Sequence, residues 1–182
     1  MILPILQTGH PVLRAVAREL SLDEIRSEPI EVLIHNMKQT MRAAPGVGLA
    51  APQIGESIQL IVIEDTADEQ TKLNDDQLAQ RERIPVPFHV LINPKLNLIG
   101  NERVDFFEGC LSVAGYAALT PRHRSLSVTA LNELAEEVTI DATGWYARII
   151  QHEVDHLNGS LYIDRMDSTT FSTVENKMKF WD

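Results

Sequence analysis

The stretch "QHEVDHLNG", Gln151 to Gly159, holds His152, Glu153 and His156 in the pattern H-E-x-x-H. Side chains four residues apart stand on one face of an α-helix, so both imidazoles reach one ion only if the segment is helical. Glu153 then points about a third of a turn away, close enough to touch a water at the ion without ligating it. The surrounding residues agree. In "GWYARIIQHEVDHLN" (144–158), Trp145, Ile149, His152 and His156 follow one another at spacings of four, three and four, a single helix face. Thr143 is a natural N-cap and Gly159 a natural stop. Whatever else the chain does, it must bring a third donor to this helix.

The rest of the chain supplies mostly strands. "IRSEPIEVLIHNMKQTMRAA" (25–44) predicts a helix from near Glu28 or Pro29, with apolar Ile30, Val32, Leu33, Met37 and Met41, stopped by Pro45 and Gly46. "IQLIVIE" (58–64) predicts a buried strand. Residues 65–87, rich in acidic residues and glutamine, show little periodicity and predict an exposed insertion or long loop with room for a helical turn. Strands are expected at 89–94 and 95–107, then a hairpin of 124–132 with 136–143 turning at Asn132 to Ala135. A short strand at 160–164 and a helix at 168–180 close the chain. Strands followed by a late helix give an α+β class: mixed or antiparallel sheets packed around a central helix that carries the H-E-x-x-H motif. A chain of 182 residues fits one domain, 1–182.

Several function classes drop out. No apolar run approaches the roughly 18 residues of a membrane span. Pro4, Gly9, His10 and Pro11 break the N-terminus too often for a signal peptide, so the chain reads as intracellular. A net charge of −10 argues against a broad nucleic-acid footprint. With Cys110 the only cysteine, no internal disulfide can form.

Three residues compete as third ligand. Tyr162 stands where one H-E-x-x-H class places a histidine, and tyrosine is a poor substitute. Glu175 lies 19 residues after His156, near where another class uses a glutamate. Cys110, in "EGCLSV", is favoured: Gly109 lets the backbone turn beside the sulfur, and a thiolate with two imidazoles leaves a fourth position open for catalysis. A further segment, "GVGLAAPQIG" (46–55), is nearly free of side chains. Around Gly46, Val47 and Gly48 another chain can approach closely, as when a peptide adds a strand. Gln53 offers amide N–H groups to an oxyanion. The segment matches neither glycine-rich nucleotide motif, so phosphate binding is not expected.

Together "GVGLAAPQ", "EGCLS" and "QHEVDH" resemble, in order, the three signature motifs of the peptide deformylases, and the resemblance covers essentially the whole chain. That family removes the N-formyl group from the starting methionine of nascent polypeptides, releasing formate. The resemblance implies one divalent metal ion held by Cys110, His152 and His156. Fe(II) is the usual ion in the cell, and zinc, nickel or cobalt can take its place. It implies Glu153 as acid–base, with Gln53 and the Leu111 backbone N–H as oxyanion donors. It also implies an apolar slot for methionine, for which Trp145 and Val47 are candidate walls, and a metal pocket too shallow to admit anything bulkier than formyl hydrogen. Asp155 and Arg122 are a candidate pair steadying the ligand helix. The implied setting is the bacterial cytoplasm, or an organellar matrix for a mature form. Three features depart from familiar members. Ala117 stands where many carry arginine. The stretch 65–87 is longer than in compact members and is similar to an organelle-type or related bacterial branch. The chain ends in "KMKFWD" rather than a longer basic helix, so no more than transient ribosome contact is expected.

Overall fold

Apart from residues 45, 71, 72 and 182 and the side chain of residue 69, the whole chain is described by the computed structural model. Helix α1 (Leu22–Ile25) is a single turn held by a capping box, in which Ser21 and Glu24 each bond the other's backbone N–H. Helix α2 (Glu28–Ala43) begins where Pro29 suggests, and buries Ile30, Met37, Thr40 and Met41. Val32, expected on that face, is exposed: it lies off the stripe that Ile30, Met37 and Met41 make. Pro45, expected to end the helix, lies outside the described residues.

Strand β1 (Gly48–Ala50) pairs with β2 (Leu60–Asp65), and β2 decides the layering. Its side chains alternate between two cores. Leu60 and Val62 pack with Met37 and Met41 of α2. Ile61 and Ile63 pack on the opposite face with Ala147, Ile150 and Val154. A strand apolar on both faces needs cover on both sides, and the two long helices provide it.

The acidic insertion is more ordered than its composition suggests. It holds helices α3 (Ala67–Gln70) and α4 (Asp75–Arg81), the latter capped reciprocally by Asn74 and Gln77. The strands expected at 89–94 and 95–107 are arms of one bent strand, β3 (Val86–Cys110). Its pairing register shifts between Ile92 and Lys95, where Asn93 adopts a left-handed φ of 51° and its amide brackets Leu20 through bonds of 2.9 and 2.8 Å. The first arm pairs with β2, the second with β4 (Val113–Leu131), which pairs in turn with β5 (Glu137–Thr143). The hairpin expected at 124–143 is present. The sheet runs β1-β2-β3-β4-β5, all antiparallel.

Helix α5 (Gly144–Leu157) follows β5 directly and is buried nearly all round, its apolar residues set against the sheet. Thr143 occupies its N-cap, but the side chain makes no capping bond and donates instead to Glu82 at 2.9 Å. Gly159 ends the helix region with a φ of 70°. The C-terminal expectations need correction. Residues 160–164 contain no strand; Tyr162–Asp164 form a 3-10 turn, because Asp164 folds back to accept from the Leu161 N–H at 2.8 Å. The helix expected at 168–180 is broken into a 3-10 turn (Ser168–Thr170), strand β6 (Ser172–Thr173) and helix α6 (Val174–Phe180). β6 pairs with Tyr116 and Ala117 of β4, and that pairing interrupts the helix. The class is α+β with a dominant antiparallel sheet.

Candidate metal centre and cleft

Cys110 is the last residue of β3, where the chain turns through Leu111 and Ser112 into β4. His152 and His156 come from α5, one turn apart on the face turned to that hairpin. The sulfur and one nitrogen of each ring lie within 4.8 Å of one another. Cys110 Sγ is 3.3 Å from His156 Nε2. Such a group, one soft thiolate and two imidazoles converging on a point, suits a divalent transition-metal ion. Tyr162 is buried, its ring stacked parallel to that of His152 at 6.3 Å. Glu175 is exposed on α6, outside the cluster.

Two members of the cluster, Cys110 and His152, are held from behind, whereas His156 Nδ1 is buried without a hydrogen-bond partner among the described residues. Ser112 N–H lies 3.4 Å from the sulfur and Gln53 Nε2 lies 3.6 Å from it. Gln53 is itself pinned: Oε1 accepts from the Ala50 N–H at 2.9 Å and Nε2 donates to Ser112 Oγ at 3.2 Å. The amide thus presents its N–H edge to the cluster. His152 Nδ1 meets Glu108 Oε2 at 3.0 Å, which leaves Nε2 as the free ring nitrogen.

Glu108 is the residue that the sequence reading passed over. Its carboxylate, 5% exposed, takes Arg122 Nε and Nη2 at 2.9 Å each, Arg148 Nη1 at 2.6 Å, and His152. Burial alone would raise its pKa. Hydrogen bonds from His152 and Arg122 outweigh burial and hold it well below the ordinary carboxylate range. A signal existed: two residues apart in a strand, Glu108 and Cys110 face the same side. Arg148, also missed, lies four residues before His152 on the same helix face. Arg122 and Asp155, named as a pair from sequence, do meet, and both are buried. Arg165 adds a two-point bond to Asp155 at 2.8 Å. The outcome is a continuous ionic chain from Arg165 to His152 beneath the cluster.

Glu153 Oε2 is buried and makes no bond to any described residue. Its carboxyl is pushed up to about 7, chiefly by burial. For His152, burial opposes the charge, but the Cys110 sulfur and Glu108 carry the pKa well above the usual imidazole value. His156 goes the other way, driven down by burial and by His152. The negative field of Cys110 and Glu108 that draws a proton to His152 would draw a cation to the same place.

The cluster opens into a cleft of about 490 Å³. Gly46, Val47, Gly48, Leu111 and Trp145 line it, with buried Gln53 and Glu153 at its floor. At Gly46 and Gly48 any larger residue would have to push a cleft side chain aside. A Cβ on Gly46 would meet Leu111 Cδ1 at 2.8 Å, and one on Gly48 would meet Glu153 Cδ at 2.8 Å. Gly109, expected to permit a sharp turn, does not act that way. It lies extended opposite Ala117, and a Cβ there would make only a 3.5 Å contact with Tyr116 O. β1 is the terminal strand of the sheet order, so its outer edge offers backbone groups to an added strand. Ala117 is buried where β6 pairs.

Comparison with known proteins places this arrangement. A family model described as polypeptide deformylase matches residues 2–172. Peptide deformylase 1A, chloroplastic, of Solanum lycopersicum is 48% identical over 94% of this chain and 62% of its own length. Peptide deformylase 3 of Streptomyces avermitilis is 42% identical over 98% of this chain and 78% of its own length. The crystal structure of a class I type b peptide deformylase from Acinetobacter baumannii, bound to Met-Ala-Ser, superposes with a TM-score of 0.80 at 31% identity, covering 91% of this chain and 99% of that one. The chain spans less than two thirds of the length of the plant relatives it matches.

Proposed function

The chain belongs to the polypeptide deformylase family, and from that premise we propose that it hydrolyses the formyl group of N-formylmethionyl nascent peptides, releasing formate and the free amine. The observation that carries the reading is the meeting of Cys110, His152 and His156 beside an unpartnered Glu153 carboxyl at the floor of an open cleft. On this reading residues 1–182 act as one catalytic unit.

Cys110 Sγ and one nitrogen each of His152 and His156 would hold one divalent ion, Fe(II) in the cell, with zinc, nickel or cobalt able to replace it. Bound there, the ion supplies Lewis acidity, which acidifies water and polarises a carbonyl. Glu153 takes the proton of the attacking water and returns it to the departing amine nitrogen. Its burial favours both roles, because a carboxyl pushed up toward neutrality can accept and release a proton near pH 7. Gln53 Nε2 and the Leu111 N–H donate to the formyl oxygen as it gains negative charge, each such donor worth about 2.7–4 kcal/mol. Glu108 keeps the His152 ring oriented through Nδ1.

The peptide backbone lies along Gly46, Val47 and Gly48 as an added strand on the edge of β1. Bound Met-Ala-Ser in the Acinetobacter baumannii protein supports this class of ligand. Its methionine side chain enters the apolar slot beside Trp145. A formyl hydrogen fits a shallow metal pocket where a Cα substituent does not, which separates formamides from ordinary peptide bonds. Substrate of this kind is made in the bacterial cytoplasm and in organelles, and contact with the ribosome that supplies it is transient. Among the described residues no helix is long and apolar enough to cross a membrane.

The deciding experiment is anaerobic purification, metal analysis and a formate assay with formyl-Met-Ala on one sample. We expect about one ion per chain and formate release, and we expect Glu153→Ala to keep the ion and lose turnover by roughly 10²–10⁴. An iron-loaded protein that releases no formate sinks the proposal, and full turnover in Glu153→Ala removes that residue from the chemistry.

A further inference from the structure

The acidic insertion ends directly behind the cleft wall. Its residues Arg81 to Arg83, at and after the end of α4, pass so close to the start of α5 that a Cβ on Gly144 would meet Arg81 O at 2.6 Å. Glu82 fastens the contact, accepting from Arg124 at 2.6 Å and from Thr143 Oγ1 at 2.9 Å. The next residue of α5 is Trp145, whose ring forms part of the cleft lining.

That ring is held in an unusual way. Its indole Nε1 is buried and finds no partner among the described residues, so no hydrogen bond fixes its rotation. It packs against the apolar core on one side, and cations and an aromatic edge stand around the rest of it. Arg83 lies 5.3 Å from the ring centre, Arg148 5.8 Å and Arg81 5.9 Å, and Phe106 meets it edge-on at 6.1 Å. Arg148 is already committed to Glu108. Arg83 is the guanidinium nearest the ring, and a two-point bond to Asp65 at 2.8 and 2.9 Å locks its plane. Asp65 ends β2, which is paired on both sides in the sheet, and its side chain is 1% exposed. The line Asp65–Arg83–Trp145 therefore ties the cleft wall to the rigid sheet by way of the insertion.

We propose that Arg83 is a positioning residue, fixing the Trp145 indole and so setting the width of the side-chain slot and its preference for an unbranched first residue over a bulkier one. The insertion thus acts in substrate selection without touching substrate. The proposal rests on the deformylase reading only in taking Trp145 as a wall of that slot.

The test uses a Trp181→Phe background, which leaves Trp145 as the one tryptophan. Arg83→Met alone would strand Asp65 as a buried charge, so the informative variant is Asp65→Asn with Arg83→Met. Arg83→Lys can keep the ion pair but loses the planar guanidinium beside the ring. We expect the kcat/KM ratio of formyl-Met-Ala to formyl-Phe-Ala to fall roughly tenfold in the double variant, mainly through KM, the lower end of what a methylene-sized change in an apolar pocket is worth. Arg83→Lys should recover part of the ratio. Acrylamide quenching of Trp145 emission should rise in the double variant. Unchanged quenching overturns the proposal, and raised quenching with an unchanged ratio overturns its claim on selection. If the parent protein releases no formate the functional reading fails by itself, and quenching still decides whether Arg83 holds the ring.

Discussion

A glycine and a glutamate share one small volume at the cleft floor. The Cβ position of Gly48 falls within 2.8 Å of Glu153 Cδ, nearer than real Cβ contacts come. Gly48→Ala should leave β1 paired and the fold intact, because the end of the Glu153 side chain can yield where backbone cannot. It should displace the carboxyl by a fraction of an ångström to one ångström. A misplacement of that size costs up to about 10² in rate. The check is kcat with formyl-Met-Ala alongside metal content: lost turnover at full occupancy is expected, and unchanged kcat would show that Glu153 tolerates displacement. Glu108 is a different case, because its carboxylate neutralises Arg122 and Arg148 while orienting His152. Glu108→Gln takes the carboxylate from buried Arg148 and leaves Arg122 with Asp155 alone, at a cost of about 3–5 kcal/mol for breaking a buried pair. It also loosens the ring that is to face the ion, typically worth 10–100-fold in metal affinity. Denaturant titration and metal competition should therefore both report the change; stability and affinity equal to the parent would show that the arginines re-pair elsewhere.

At the scale of elements, the two long helices do separable work on the two faces of β2. Met37 of α2 is fully buried against Leu60 and Val62, and α2 contributes nothing to the cleft lining. Met37→Ala should cost about 2–5 kcal/mol of stability while kcat per folded molecule stays unchanged. A fall in kcat at saturating metal would mean that strain crosses the sheet to α5. Sequence periodicity found both helices because each buries a continuous stripe, and it found the 124–143 hairpin because alternation and turn residues agree. It failed where pairing partners decide the outcome. Ser172 and Thr173 have nothing intrinsic that breaks a helix, yet pairing with Tyr116 and Ala117 pulls them into β6. Tyr162 reads as strand beside Leu161, but Asp164 folds the backbone back onto itself. The composition of residues 65–87 hid α4, whose Asn74 and Gln77 cap is a local signal that polarity masks. The cluster was legible for a related reason. Its members stand in two short motifs, "EGCLS" and "QHEVDH", whereas Arg148 is an isolated letter whose role exists only once the helix lies against β3 and β4.

For the molecule as a whole, the cluster is a joint between distant parts of the chain. Cys110 closes the long hairpin and His152 and His156 belong to the central helix, so an ion shared by them cross-links β3 to α5. An ion that binds the folded state alone adds RT ln(1 + [L]/Kd) to its stability, about 2.7 kcal/mol at a hundredfold excess over Kd. For a chain of 182 residues that corresponds to a rise in Tm of roughly 5–10 °C. Stripping the ion with a chelator should lower Tm by this amount, and restoring it should recover both Tm and formate release. Cys110→Ser keeps a near-isosteric side chain at the hairpin end but replaces a soft sulfur donor by a poor one. Its apo form should melt close to the apo parent, with most of the metal-dependent increment gone. If Cys110→Ser retained the full increment, the ion would bind somewhere other than between the hairpin and the helix, and the chemistry assigned to Glu153 would lose its electrophile.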